Sequence, residues 1–454
     1  MQIINPANGD LIREVTEDSK ETLNAKFQLL KSAQPAWADM EIKHRVNILQ
    51  DFSTRLENQI GRLSAILTSE IGKPLQQSRN EINGARTRIQ WLTENAEKYL
   101  REEEMTKTAD LTEKISYEPL GVICNISAWN YPWLVGVNVF VTALLAGNAV
   151  MYKPSEYAVL TGFEIEKILK LSGVPEGVFQ WAVGAKEVGE LLLEMPFDGY
   201  FFTGSYKTGK HIYEKCASRM IPCQLEMGGK DPLYVAGDVV DLKQVAEATA
   251  DGAFYNNGQS CCSVERIYVA EDIYDDYLRE FLTVVKSWKI GDPTEAGVYF
   301  GALTREAQLE VLEKQVSDAV KKGARVLSGG KRIQRKGYFF EPTILADVTQ
   351  DMLVMKEESF GPIIGIMKVK NDDEAIKLMA DTEYGLTAAI YSSNKQRAEK
   401  MIKQFNTGSG YWNCCDRVSA PLPWSGRKHS GFGSALSRAG FLSFVRPKAW
   451  HLRG

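Results

Sequence analysis

Two adjacent cysteines stand behind a glycine in the stretch Asn257-Gly258-Gln259-Ser260-Cys261-Cys262. A thiolate attacks electrophilic carbon without the help a hydroxyl needs, and small flanking residues leave room for a substrate. Free cysteine also packs as a small buried hydrophobe, so the pair alone defines no chemistry. Two other residues could complete a reaction centre. Glu226 closes the strand-like run Gln224-Leu225-Glu226-Met227, and a carboxylate in apolar company binds protons more tightly and suits a general base. An ion pair with Lys230 is the alternative. Asn130, in Ala128-Trp129-Asn130-Tyr131-Pro132, is an amide among aromatic residues that could donate to a developing oxyanion, or equally bond a turn backbone. No histidine lies between His211 and His429, which argues against a thiol hydrolase, where histidine activates the sulfur.

Two further stretches could bind a nucleotide. Phe201-Phe202-Thr203-Gly204-Ser205-Tyr206-Lys207-Thr208-Gly209 sets Gly204, Ser205 and Gly209 between a strand and a helix, where backbone amides at a helix N-terminus attract a pyrophosphate. The spacing is not GxGxxG, and a tight turn explains it as well. Lys153-Pro154-Ser155-Glu156 follows another strand, the place where ligands bind on an open parallel sheet. Lys153 and Glu156 there could bond ribose hydroxyls or form a solvated loop.

These residues need a scaffold, and the sequence predicts an α/β one. Leu23, Phe27 and Leu30, then Val46, Leu49, Phe52 and Leu56, recur at helical spacing, so the first ninety or so residues read as amphipathic helices. Residues 100–118 read as a protruding hairpin. From Pro119 short apolar runs alternate with helical segments, which predicts a parallel sheet with crossover helices. A second alternating series begins beyond Glu226, with a boundary near Gly228-Gly229. The expected fold is therefore two Rossmann-like open α/β domains plus a small β element. Residues 1–99 and 119–227 form the first, 228–424 the second, and 100–118 with 425–454 the bridging element. The run Phe441-Leu442-Ser443-Phe444-Val445 is expected to be a terminal strand whose edge pairs with another subunit.

Composition narrows the classes. A chain of 454 residues, 44% hydrophobic and 25% charged with net charge −4, reads as soluble and globular, and its interspersed charges argue against a nucleic-acid partner. Trp133 to Tyr152 carries no charge, but Gly136, Asn138, Thr142, Gly147 and Asn148 favour a buried helix followed by a strand over a membrane span. The N-terminus has neither basic region nor apolar core, so no signal peptide is expected. Seven thinly spread cysteines suggest a reducing, cytoplasmic compartment, and with four histidines and neither CxxC nor HExxH no metal site is expected.

Together, SAWNYP, KPSE, FFTGS, LEMGGK, GQSCC and ESFGP stand in the order and approximate separations of the NAD(P)-dependent aldehyde dehydrogenase superfamily, which the chain resembles over nearly its whole length. By that resemblance Cys261 is the catalytic thiol, Glu226 the base, and Asn130 the oxyanion amide, partnered by the Cys261 backbone N–H. Lys153 and Glu156 would hold the adenosine ribose of the cofactor, with Trp129 and Ser155 also among the cofactor-binding residues. Gly204, Ser205 and Gly209 would hold its pyrophosphate, and Glu358 with Phe360 its nicotinamide ribose. The implied reaction is hydrolytic oxidation of an aldehyde to an acid, using NAD or NADP, with Glu156 favouring NAD. Cys262 is expected to be structural. An acylating enzyme would lack Glu226, and an inactive nucleotide-binding protein would not be expected to retain thiol, amide and carboxylate together.

The chain also departs from the family. It begins close to Ile3-Ile4-Asn5-Pro6, so some N-terminal strand structure is expected to be missing, and Gly433-Ser434-Ala435 stands where many members carry a glutamate. Relatives that oxidise succinate semialdehyde often place an arginine at the position of Asn138, and an amide does not replace it. Arg417 could put a positive charge at the tunnel mouth or pair with Asp416. Tyr131, Trp133 and Trp412 suggest an aromatic tunnel, so a medium-sized uncharged or aromatic aldehyde is favoured over succinate semialdehyde. The terminal strand and the hairpin imply a homodimer or homotetramer.

Overall fold

The computed structural model describes residues 1–454. Four helices, α1 (Lys20–Asp39), α2 (Ile42–Asn58), α3 (Ile60–Ile71) and α4 (Leu75–Leu100), occupy the first hundred residues. Ser19 caps α1 by accepting from the Thr22 amide, and the apolar stripe of each helix turns inward. A short hairpin, Gln2–Ile4 against Leu11–Glu14, precedes them.

The uncharged stretch forms α5 (Pro132–Leu145), with proline at its first turn, and then the strand Ala149–Lys153. Both are buried on nearly every side, which is why the run carries no charge. No helix is long and apolar enough to cross a membrane.

Two sheets carry the site. The first has six strands in the order Gly431–Phe432, Cys223–Met227, Gly199–Gly204, Val122–Ile126, Ala149–Lys153, Phe179–Trp181, parallel except for the short first one. Chain order reverses between Val122–Ile126 and Gly199–Gly204, so a crevice opens at their carboxyl ends. The second has seven strands, in the order Arg325–Ser328, Thr343–Ala346, Ile363–Val369, Arg266–Ala270, Pro232–Val235, Thr387–Tyr391, Ser409–Trp412. All its neighbours are parallel except Arg325–Ser328. The chain passes from one sheet to the other through Gly228–Asp231.

The C-terminus differs from the sequence expectation. Phe441 and Leu442 lie in the helix Ser437–Leu442, and the strand runs later, Val445–Arg453. Phe441 and Phe444 are fully buried against the first core, so an apolar run that reads as an exposed edge is instead an internal plug. The true strand pairs with Leu111–Pro119 of the same chain, which pairs in turn with Glu103–Lys107.

Candidate active site

A cleft of about 520 Å³ opens at the crevice of the first sheet and reaches the second. Cys261, Glu226 and Asn130 line it together, and so do Trp129, Lys153, Ser155, Glu156, Gly204, Ser205, Glu358 and Phe360. Gly209 is one turn into the helix Tyr206–Ala217 and faces the sheet. A Cβ there would stand 2.3 Å from the Met227 sulfur, so this glycine serves helix–strand packing.

Cys261 sits on a loop held almost entirely by side-chain amides. Asn256 and Asn257 adopt left-handed φ values of 56° and 55°, a conformation asparagine tolerates better than most residues. Asn257 Nδ2 donates to the Ala302 carbonyl at 2.9 Å, and its Oδ1 accepts from the Gly301 amide at 3.1 Å. Gln259 Oε1 accepts from the Thr304 amide at 3.0 Å. Gly258 has φ +69°, and a Cβ there would meet the Gly361 carbonyl oxygen at 2.3 Å. The Cys261 backbone N–H has no acceptor in the protein.

Asn130 is locked to this loop. Its Nδ2 donates to the Gln259 carbonyl at 3.0 Å, leaving its second N–H unbonded, and its own carbonyl accepts from Asn256 Nδ2 at 3.1 Å. The Lys73 ammonium donates to the same carbonyl at 2.5 Å and to Glu81 at 2.6 Å. Glu81 in turn accepts from the Trp133 amide at 2.8 Å, which fixes the start of α5. Lys73 and Glu81 have fully buried side chains and show no sequence signal beyond their spacing.

Glu226 is buried at the end of its strand, and its one side-chain partner is Gln224 Nε2 at 2.9 Å. Burial raises its pKa to about 7, against smaller lowering effects of the Gln224 bond and Arg88. The alternative pairing is overturned, because Lys230 pairs with Glu265 at 2.6 Å and also donates to Ser359. Glu265, not singled out in the sequence, accepts from the Ser359 and Phe360 amides and so shapes the far wall of the cleft.

The cleft suits a dinucleotide. Ser127 Oγ and Thr203 Oγ1 are buried polar atoms without partners, and both residues line it. Lys153 is buried with no acid in ion-pair contact, its Nζ donating only to the Pro154 carbonyl at 3.3 Å. Trp129 and Phe360 stand edge to face at 5.4 Å. Ser205 caps the helix Tyr206–Ala217 by accepting from the Thr208 amide, and both residues line the cleft, so the helix N-terminus lies at it, where an anion is favoured. A Cβ on Gly228 would lie 1.9 Å from Glu358 Oε1, so only glycine allows that carboxylate its place. Burial lifts the Glu358 pKa to about 8.

The expected tunnel residues separate. Tyr131 stays near the thiols, beneath the Lys73 ammonium at 4.1 Å. Trp133 is fully buried in the first core. Trp412 lies on the outermost strand of the second sheet, with Nε1 donating to the Ser392 carbonyl at 2.9 Å and Lys395 over its ring. The Arg417 side chain is exposed and unpaired, while Asp416 turns inward with φ 47° and accepts from Cys262 Sγ at 2.9 Å. The aromatic wall thus reduces to Tyr131, and the preference for an uncharged or aromatic aldehyde loses its support. Asn138 is also not alone, because its Oδ1 accepts from Arg88 Nη1 at 3.0 Å. Arg88 gave no signal in the sequence, where it is one more polar residue on a long helix. Ala435, in the glutamate position, packs with Cys262, Leu386, Trp424 and Leu436 behind the thiol loop, leaving no acid there.

Comparison with known proteins bears on the whole chain. The model described as "Aldehyde dehydrogenase family" matches residues 1–450. Aminoaldehyde dehydrogenase 2, peroxisomal, of Pisum sativum is 35% identical over 98% of this chain and 91% of its own length. A probable succinate-semialdehyde dehydrogenase [NADP(+)] of Sinorhizobium fredii is 32% identical with the same coverage. The crystal structure of an indole-3-acetaldehyde dehydrogenase complexed with NAD+ superposes with a TM-score of 0.97 at 29% identity, covering 100% of this chain and 93% of that one.

Proposed function

The chain belongs to the aldehyde dehydrogenase family, and from that membership we propose hydrolytic oxidation of an aldehyde to a carboxylic acid with NAD(P)+, carried by Cys261, Asn130 and Glu226. The single observation behind the assignment of roles is that thiol, amide and carboxylate line one cleft in which the Cys261 N–H and one Asn130 N–H are unbonded.

The Cys261 thiolate adds to the aldehyde carbon. The unbonded Asn130 N–H and the Cys261 amide hold the oxygen as it becomes an anion, and both are rigid before substrate arrives. Bound NAD(P)+ supplies the acceptor for the hydride that leaves the adduct. Glu358 and Phe360, with Trp129 beside them, would hold its nicotinamide ribose, the Gly204–Ser205 turn would hold its pyrophosphate, and Lys153 with Ser155 and Glu156 would hold its adenosine ribose. Glu226 takes a proton from the water that cleaves the Cys261 thioester, and a pKa of about 7 makes it both available and basic near neutrality.

Seven free cysteines fit a reducing cytoplasmic setting. The nine-residue strand Val445–Arg453 has one unpaired edge in the three-stranded sheet, which suits pairing with a second copy in a homodimer or homotetramer. The test of the reaction is reduced-cofactor formation by the purified protein from an aldehyde panel with NAD or NADP and no coenzyme A. Carboxylic acid should accumulate one for one with reduced cofactor. A strict requirement for coenzyme A would reject the hydrolytic role of Glu226.

A further inference from the structure

Apart from Lys153, which lines the cofactor cleft, the other strongly buried cations near the site have their charge answered. Lys73 has Glu81, Lys230 has Glu265, and Arg266 donates to a ring of carbonyls. Arg88 on α4 does not. Its Nη1 is anchored to α5, donating to the Leu134 carbonyl at 3.2 Å and to Asn138 Oδ1 at 3.0 Å. No carboxylate lies within ion-pair distance, and Nε and Nη2 have no partner in the protein. Those two nitrogens form the edge of a guanidinium that grips a carboxylate with two parallel hydrogen bonds.

Arg88 is also close to the chemistry. Burial lowers its proton affinity, and the charges of Cys262, Glu226, Cys261 and Glu81, felt in that order, raise it again. It follows Glu81 by seven residues, two turns along the same helix face. Yet the side chain keeps part of its surface accessible, and it does not line the cleft assigned to the cofactor. Its anchor, the Leu134 carbonyl, lies in the first turn of α5, four residues after Asn130, so this accessible cation stands on the Asn130 side of the site and outside the cofactor cleft, the side left for an aldehyde held at Cys261. Leaving it unanswered there is costly unless an anion arrives with the substrate.

We infer that Arg88, held by Asn138 and the Leu134 carbonyl, is the specificity-determining residue of this enzyme and binds a carboxylate carried at the far end of the aldehyde substrate. The substrate class is an ω-carboxy aldehyde, a dicarboxylic acid semialdehyde. The same charge disfavours aldehydes ending in an ammonium group. This rests on the aldehyde oxidation proposed above and adds to it the chemistry of the distal end.

Initial rates with succinate semialdehyde, butanal and 4-aminobutanal test it on the wild type, Arg88→Met, Arg88→Lys and Asn138→Asp. The wild type is expected to favour the carboxy aldehyde over butanal by roughly 50-fold or more in kcat/KM, and 4-aminobutanal least. Arg88→Met should collapse that ratio, chiefly through KM, and Arg88→Lys should restore only part of it. Asn138→Asp keeps the guanidinium but occupies it with a carboxylate, and should collapse the ratio too, so the test survives if Arg88→Met fails to fold. Preference of the wild type for butanal or 4-aminobutanal overturns the inference. So does an equal fall in kcat for all three substrates with a shifted pH profile, which would make Arg88 an electrostatic support of the thiolate. No oxidation of any aldehyde by the wild type would overturn the proposed reaction itself, and the inference with it.

Discussion

Asn130 Nδ2 and the Gln259 carbonyl are joined at 3.0 Å across 129 positions of sequence, so the oxyanion donor and the loop that carries Cys261 move as one piece. The chemistry of such a donor depends on its being aimed before the charge forms. Asn130→Ala removes it and also frees the loop carbonyl. The expected loss in kcat is about 100-fold, with KM changed far less, measured by steady-state kinetics. A change confined to KM would assign Asn130 to ground-state binding.

The adjacent sulfurs are distinguished by their partners. Cys262 Sγ donates to Asp416 at 2.9 Å, and its pKa is held well above the usual thiol value, first by its bond with the Cys261 thiol and then by burial. It is a poor nucleophile in that position. Cys261→Ala should abolish reduced-cofactor formation, whereas Cys262→Ala should keep most of it and cost about 1–2 kcal/mol of stability through the lost bond. The reverse result would sink the assignment of the nucleophile.

Glu226 predicts a pH dependence of opposite sign for rate and stability. Its pKa rises from 4.5 to about 7 on folding because burial penalises the charge. As a base it works ionised, so the rate of thioester hydrolysis should climb as pH rises through 7 and lose that rise in Glu226→Gln. For stability, the folded protein keeps a proton that the unfolded chain has released between those values. Stability is therefore full below about 4.5 and is lost as pH rises through about 7. Glu226→Gln should be more stable than wild type at pH 8 by about 1–3 kcal/mol and nearly equal at pH 5, read from denaturant unfolding at the two pH values.

Lys73 and Glu81 are a buried pair that fixes Asn130 and the start of α5 together. Lys73→Met leaves Glu81 charged, buried and unanswered, and should cost about 3–5 kcal/mol. Adding Glu81→Gln should return part of that stability while kcat stays low, because the Asn130 carbonyl still lacks its ammonium. Thermal unfolding beside kinetics separates the two effects.

Much of the scaffold was legible because parallel strands buried on both faces appear as near-continuous apolar runs, as in Val122–Ile126, broken only by Asn125, and Arg266–Ala270, apolar after Arg266. The line of site residues was legible because their loops follow such strands. What sequence could not show were residues whose role depends on a distant partner. Arg88 acquires a task only when α4 lies on α5, and Glu265 only when its carboxylate meets the Ser359 and Phe360 amides. Trp133 and Trp412 misled for the same reason, since aromatic type says nothing about which way a ring faces. Phe441 and Phe444 looked like strand residues because apolar spacing over five positions does not separate a strand from a short buried helix.

Cofactor choice turns on Lys153 and Glu156, which stand three residues apart at the cleft. Ser155 Oγ donates to Glu156 at 2.9 Å, which fixes the carboxylate near the position proposed for the adenosine ribose. There it can accept from ribose hydroxyls, and it repels a phosphate on the same sugar. Lys153, buried and without an acid in contact, is a cation that a phosphate there could use, and Lys186 lines the same part of the cleft. Glu156→Gln keeps the hydrogen-bonding shape and removes the repulsion, so the ratio of kcat/KM with NADP to that with NAD should rise about 10-fold. In the double variant with Lys153→Met most of the gain should be lost, because the phosphate then loses its buried partner. An unchanged ratio in Glu156→Gln would mean that the carboxylate does not face the ribose.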